Sequence, residues 1–271
     1  MKALVLGAEG QLGTELVRIL GEGTGVTYPH LSITDAVAVN GLISERRPEV
    51  VFNCGAYNAV DRAEADREEA YAVNADGPRI VAAACRASGA WFVHFSTNFV
   101  FDGASANPYV ESDEPAPISV YGSSKLAGEQ NALEEGTHVL VVRTAALYGR
   151  VTGRSFPERI VELARSGQKL RVVSDQTINP TFTRDLAAAA VDLASQRMAG
   201  IVHAVADGCA GWDEFARAAL AEAGVDAAVE PVGTDAFPSP ARRPANGCLA
   251  SIRYRPLRHW SEALAEWAKN P

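Results

Sequence analysis

Apolar residues follow two rhythms along the first half of this chain. Short continuous runs at 2–6, 50–53, 91–95 and 138–144 read as strands buried on both faces, bounded by Gly, Pro or charged residues. Between them, Leu12, Leu16, Val17 and Leu20 keep helical spacing, and further helices are predicted over 36–45, stopped near Pro48, and over 80–87, closed by Ser88-Gly89. A weaker strand is expected over 25–28, and a helix from Tyr121 through Glu129. Strands alternating with helices imply a parallel sheet covered on both faces, so the expected fold class is α/β with a doubly wound parallel sheet. Beyond 150 the rhythm loosens. A loop around Asn179-Pro180 (174–183), a helix over 184–194, a strand over 200–205 that returns to the sheet, an amphipathic helix over 212–223, a proline-rich stretch over 231–244 and a last helix over 260–268 are predicted. The expected division is a parallel-sheet domain over 1–150, with a returning segment at about 180–207, and a smaller, less regular C-terminal part over 151–179 and 208–271.

Composition narrows the classes. With 271 residues, 47% of them hydrophobic, the chain can bury a full core. No apolar run approaches the ~20 residues that span a bilayer, and the amino terminus enters a strand at once rather than a cleavable leader, so a cytoplasmic protein is expected. A formal net charge of -8 argues against nucleic acid or an anionic membrane as partner, and any substrate phosphate must be met by helix amino termini and single arginines. Cys54, Cys85, Cys209 and Cys248 are scattered with no Cys-x-x-Cys pair, so reduced thiols and no metal site are expected.

The chemistry enters at strand ends. Gly7-Ala8-Glu9-Gly10-Gln11-Leu12-Gly13 joins the first strand to the first helix. Gly7 allows the tight turn, Gly10 the approach of a pyrophosphate and Gly13 close packing, which predicts a Rossmann-type dinucleotide site on the helix amino terminus. The second strand ends in Tyr28-Pro29-His30 without the carboxylate that would hold a ribose 2'-hydroxyl and without an arginine for a 2'-phosphate. NADPH is therefore mildly favoured, with NADH also accepted. In an open parallel sheet ligands lie beyond the carboxyl ends of the strands, which places Ala56 and Tyr57 beside the cofactor and Thr97 near a substrate oxygen. His94, flanked by aromatics, reads as a core histidine. Tyr121 and Lys125 are four residues apart where the chain enters a helix, so phenol and ammonium share a helix face. If the cation lowers the phenol pKa, Tyr121 becomes a proton donor; three units of lowering require roughly 4 kcal/mol.

Glycines at three-residue intervals, Ser96-Thr97 and Tyr121-x-x-x-Lys125 resemble the short-chain dehydrogenase/reductase superfamily in order and spacing. Gly10-Gln11-Leu12-Gly13-Thr14-Glu15-Leu16, Ala59-Val60-Asp61-Arg62-Ala63-Glu64, Val100-Phe101-Asp102-Gly103, the stretch from Tyr121 to Glu129, Asp175-Gln176 with Pro180-Thr181, and Arg242-Arg243-Pro244-Ala245-Asn246 resemble the dTDP-4-dehydrorhamnose reductase family. The resemblance implies NAD(P)H-dependent reduction of the 4-keto group of a nucleotide-linked, dTDP-type, 4-keto-6-deoxy sugar. It makes Gly10, Gln11, Leu12, Ala56, Tyr57, Asn58 and Phe95 cofactor contacts, with Ser32-Ile33 beside the adenine. It also makes Tyr121 the proton donor, Lys125 its partner on the nicotinamide ribose, and Thr97 the group that polarises the keto oxygen. Asn98, Phe99, Ala146 and Arg243 fall at the sugar nucleotide. Here the chain departs from the family: Asn98-Phe99 stands for Asp-Tyr, Ala146 for Trp, Gly247 for Ser, and Ser32 for an acidic residue. The departures point to a modified deoxysugar of secondary metabolism. The alternative is a non-catalytic nucleotide-binding regulatory subunit of the same fold; a monomer or homodimer is expected in either case.

Overall fold

The computed structural model describes residues 1–149 and 155–269. The first half runs β1 (Ala3–Leu6), α1 (Gln11–Leu20), β2 (Gly25–Val26), α2 (Ala36–Arg46) and β3 (Val50–Asn53). Then α3 (Arg67–Tyr71) passes through a π turn (Ala72–Asp76) into α4 (Gly77–Ser88), followed by β4 (Trp91–Thr97), α5 (Val120–Glu135) and β5 (Val139–Thr144). The second half carries α6 (Phe156–Arg165), β6 (Leu170–Val173), α7 (Thr183–Ser195), β7 (Gly200–His203), α8 (Trp212–Glu222), β8 (Val229–Val232) and α9 (Trp260–Lys269).

Six strands form one sheet in the order β7-β5-β4-β3-β1-β2, each parallel to its neighbours. Alternate residues of each strand point to opposite faces. Val5, Phe52, Val93 and Leu140 pack under Leu12 and Leu16 of α1 and Leu186 of α7, while Leu4, Val51, Phe92 and Val141 pack under Val39 and Ile43 of α2 and Val81 of α4. The doubly wound α/β class and the return of β7 are as the sequence predicts. A separate apolar cluster, with Tyr148, Phe182, Phe215 and Trp267 among its members, gathers the C-terminal elements. The expected division at 150 falls within 150–154, outside the described residues. Among the described residues no helix is long and apolar enough to cross a membrane.

Two local expectations are corrected, and one strand pair is added. The second strand has two residues instead of four, because β1 gives way to the glycine turn: Gly7 and Ala8 both donate to the Val26 carbonyl, and pairing ends there. Parallel β6 and β8 were not predicted, since both are half-exposed and β8 contains Pro231, opposite Val172. Cys209 and Cys248 are not free thiols but a disulfide, their Cα atoms 6.2 Å apart. Asn179 brings them together, donating to the Ala206 and Gly208 carbonyls and accepting from the Leu249 N–H, a meeting that a separation of 39 residues does not announce.

Candidate active site

The cleft begins at the glycine turn. Gly7 has φ 72 and lies against the Cys54-Gly55 backbone, and a Cβ on Gly13 would run into the Gly7 carbonyl. Only glycine permits the positive φ and these approaches without strain. The amino end of α1 therefore opens onto a cavity of about 360 Å³ beyond the strand ends, lined by Gly10 to Gly13, Asn53 to Ala56, Asn58, Phe95 to Phe99, Tyr121, Lys125 and Thr144 to Leu147.

Tyr121 and Lys125 sit on the first turns of α5, whose amino end is capped by Ser119 accepting from Gly122 N–H at 3.1 Å. Glu64 accepts from Val120 N–H at 2.8 Å, fixing the entry to the helix. Both side chains are buried. Lys125 Nζ donates to the Phe95 carbonyl at 2.7 Å. Burial presses its pKa down to about 8, opposed chiefly by the Glu129 carboxylate. Tyr121 differs from expectation: burial pushes its phenol up to about 12, with the Thr97 hydroxyl drawing it the other way. Desolvation of the phenolate outweighs any help from Lys125, whose ammonium is engaged by Phe95. Thr97 also accepts from Phe99 N–H at 3.2 Å. His94 is the core histidine expected; burial first and then Lys125 hold its imidazole well below the ordinary value.

Four expected cofactor residues lie outside this lining. Gly7 supports the turn from behind. Tyr57 donates its phenol to Asp66 at 2.7 Å, and its backbone is clasped by Asn74. Ile33 is core, packed against Gly55 and Gly77, and the Ser32 hydroxyl meets that of Thr34 at 2.8 Å. Conversely, sequence reasoning missed Thr144. It pairs with Thr97 across β5 and β4, and its buried hydroxyl has no partner among the described residues. The Arg-Thr at that strand end was the available signal.

A second cavity, of about 520 Å³, adjoins the first, and Asn98 and Phe99 line both. Its walls are aromatic: Phe156 lies 4.7 Å from Trp212 between ring centroids, and Arg171 sits 5.6 Å over Phe237. None of these four was singled out, because their elements have no motif. Arg243 lines this cavity, but its guanidinium is taken by Asp61 at 3.1 and 2.7 Å. Two departures from the family face one another: Asn98 donates to the Gly247 carbonyl at 3.0 Å, and a side chain at Gly247 would meet the Asn98 amide. Phe99 stands edge-on to Tyr121, centroids 5.4 Å apart. Ala146 lines the first cavity and packs on the C-terminal cluster, with φ 43.

The sequence matches the RmlD substrate binding domain over residues 1–270. The chain belongs to the RmlD family. It is 42% identical to a dTDP-4-dehydrorhamnose reductase of Streptomyces griseus, covering 97% of this chain and 91% of that one. It is 38% identical to a dTDP-4-keto-6-deoxy-D-glucose reductase of Streptomyces niveus, covering 97% and 95%. Among solved structures, the dTDP-4-dehydrorhamnose reductase of Bacillus anthracis in complex with NADP superposes with a TM-score of 0.96 at 33% identity, over 100% of both chains. The Rossmann-type sheet and smaller C-terminal part are those of the RmlD family.

Proposed function

We propose that this protein reduces the 4-keto group of a dTDP-linked 4-keto-6-deoxy sugar with NADPH, and accepts NADH. One observation carries the reading: buried Tyr121 and Lys125 lie in the cleft that starts at the glycine turn, and that cleft opens at Asn98-Phe99 into an aromatic-walled cavity. The glycine turn and α1 amino terminus would hold the pyrophosphate, and Lys125 the nicotinamide ribose. The coenzyme supplies a hydride to the keto carbon. Tyr121, kept protonated by burial, gives the proton to the keto oxygen, and Thr97 holds that oxygen as charge develops on it. Thr144 is a second hydroxyl on the same floor. Phe156 and Trp212 suit a pyrimidine base, and Arg171 the diphosphate. On this reading residues 1–150 with 180–207 serve the coenzyme, and 151–179 with 208–271 the sugar nucleotide, in the cytoplasm.

Purified protein with NADPH and dTDP-4-dehydrorhamnose, or a related 4-keto-6-deoxy sugar, is expected to consume the coenzyme with formation of the 4-hydroxy sugar. Coenzyme binding without turnover on any such sugar would leave the regulatory-subunit reading in its place.

A further inference from the structure

One turn beyond Lys125, on the same face of α5, lies a buried ion pair that the reaction itself does not use. Glu129 and Arg143 are each 1% exposed. Arg143 Nε donates to the two carboxylate oxygens at 3.0 and 3.1 Å and its second nitrogen at 2.7 Å, and the Ser96 hydroxyl donates to the same carboxylate. Ser96 and Arg143 are register partners on β4 and β5, and each immediately precedes a threonine that lines the cleft. Taking two charges out of water costs so much that an apolar pair of similar volume is often as stable, so stability alone is a poor reason for this one. Its place is informative. Tyr121, Lys125 and Glu129 stand at i, i+4 and i+8, on one line along the helix.

We infer that Glu129, held by Arg143 and Ser96, is a positioning residue that keeps the Lys125 ammonium charged at neutral pH and locks the strand end bearing Thr97. The inference rests on the reading of Lys125 as the group that holds the coenzyme ribose. The groups facing Lys125 are Tyr121 and Glu129 from α5, Cys54 from the end of β3, His94 from β4, and Arg143 from β5 behind the carboxylate. Burial keeps the Cys54 thiol far above its ordinary value, Tyr121 is at about 12 and His94 is neutral. Burial brings Lys125 down to about 8, within reach of mildly alkaline solution. The carboxylate opposes the desolvation of the ammonium, so its removal moves that titration to lower pH.

The test is NADPH affinity as a function of pH, read by fluorescence without any sugar. In the wild type, affinity should fall through a midpoint near about 8. In the charge-balanced Glu129→Gln/Arg143→Met variant, the midpoint should move to lower pH, with full affinity regained at low pH. Glu129→Asp, which keeps both charges but draws the carboxylate back by one methylene, should move it less in the same direction, and it serves if the double variant does not fold. A loss of affinity that is equal at every pH, with the midpoint unmoved in either folded variant, overturns the inference and leaves the pair a structural strut. Failure of the wild type to bind NADPH at any pH would instead sink the proposed function.

Discussion

Tyr121 is a phenol that its surroundings keep from ionising, and that suits a residue whose task is to give a proton rather than take one. Tyr121→Phe should retain NADPH affinity and lose at least ~10²-fold in kcat, because the positioned proton goes with the hydroxyl. Equal turnover would place the acid elsewhere. Lys125→Met should raise the KM for NADPH as well, and an unchanged KM would contradict its role on the ribose. At the adenine end, no arginine grips a 2'-phosphate at Tyr28-Pro29-His30, so NADPH should be preferred by about tenfold or less, about 1.4 kcal/mol. A carboxylate does reach that turn from the glycine loop: Glu9 accepts from Tyr28 N–H at 3.2 Å. Glu9→Gln should therefore raise the NADPH to NADH ratio of kcat/KM severalfold, and a ratio unmoved would remove Glu9 from coenzyme choice. Residues whose spacing dictates their geometry were legible: the glycines of the turn, and Tyr121 with Lys125. Residues that reach the site through tertiary packing, such as Phe156 and Trp212, were not. The engagement of Arg243 by Asp61 could not be read either, since 182 residues separate them.

Elements were legible where burial was complete. Strands β3, β4 and β5 came out of continuous apolar runs, whereas β6 and β8 did not, because each is short and half-exposed, and Pro231 interrupts β8. The helix that carries Tyr121 and Lys125 is set by two glycines to which the sequence alone assigns no packing role. A Cβ on Gly122 would strike the Phe99 carbonyl, and one on Gly128 would strike the Asn74 carbonyl. Asn74 cannot give way easily: its amide clasps the Tyr57 backbone and donates to the Ser124 hydroxyl at 3.0 Å. Gly128→Ala should thus displace α5 from the π turn and cost about 1–3 kcal/mol, despite the better helix propensity of alanine. Urea unfolding reads this directly, and an unchanged midpoint would mean that the helix is not held at that contact.

At the scale of the whole molecule, the two cavities meet at Asn98 and Phe99, just after β4, so under the proposed function the sugar lies against residues that the sequence marks as departures from the family pattern. Phe99 offers that junction an apolar ring edge-on to Tyr121 in place of a tyrosine, and Ala146 offers a methyl in place of an indole. The Asn98 amide is spent on the Gly247 carbonyl, so the junction has lost polar groups as well as bulk. A site built to hydrogen-bond a hydroxyl discriminates strongly against its absence, whereas an apolar pocket rejects an extra hydroxyl only by roughly 10²-fold. The preferred sugar should accordingly lack a hydroxyl, or carry a bulkier or less polar group, relative to 4-dehydrorhamnose, with residual activity on dTDP-4-dehydrorhamnose itself. Steady-state kcat/KM across a panel of dTDP-4-keto sugars decides it. Ala146→Trp should then lower kcat/KM on the deoxygenated or alkylated sugar by refilling the space. If 4-dehydrorhamnose is the best substrate of the panel and Ala146→Trp improves it no further, the departures do not set specificity, and the sugar is the one handled by the relatives from Streptomyces griseus and Bacillus anthracis.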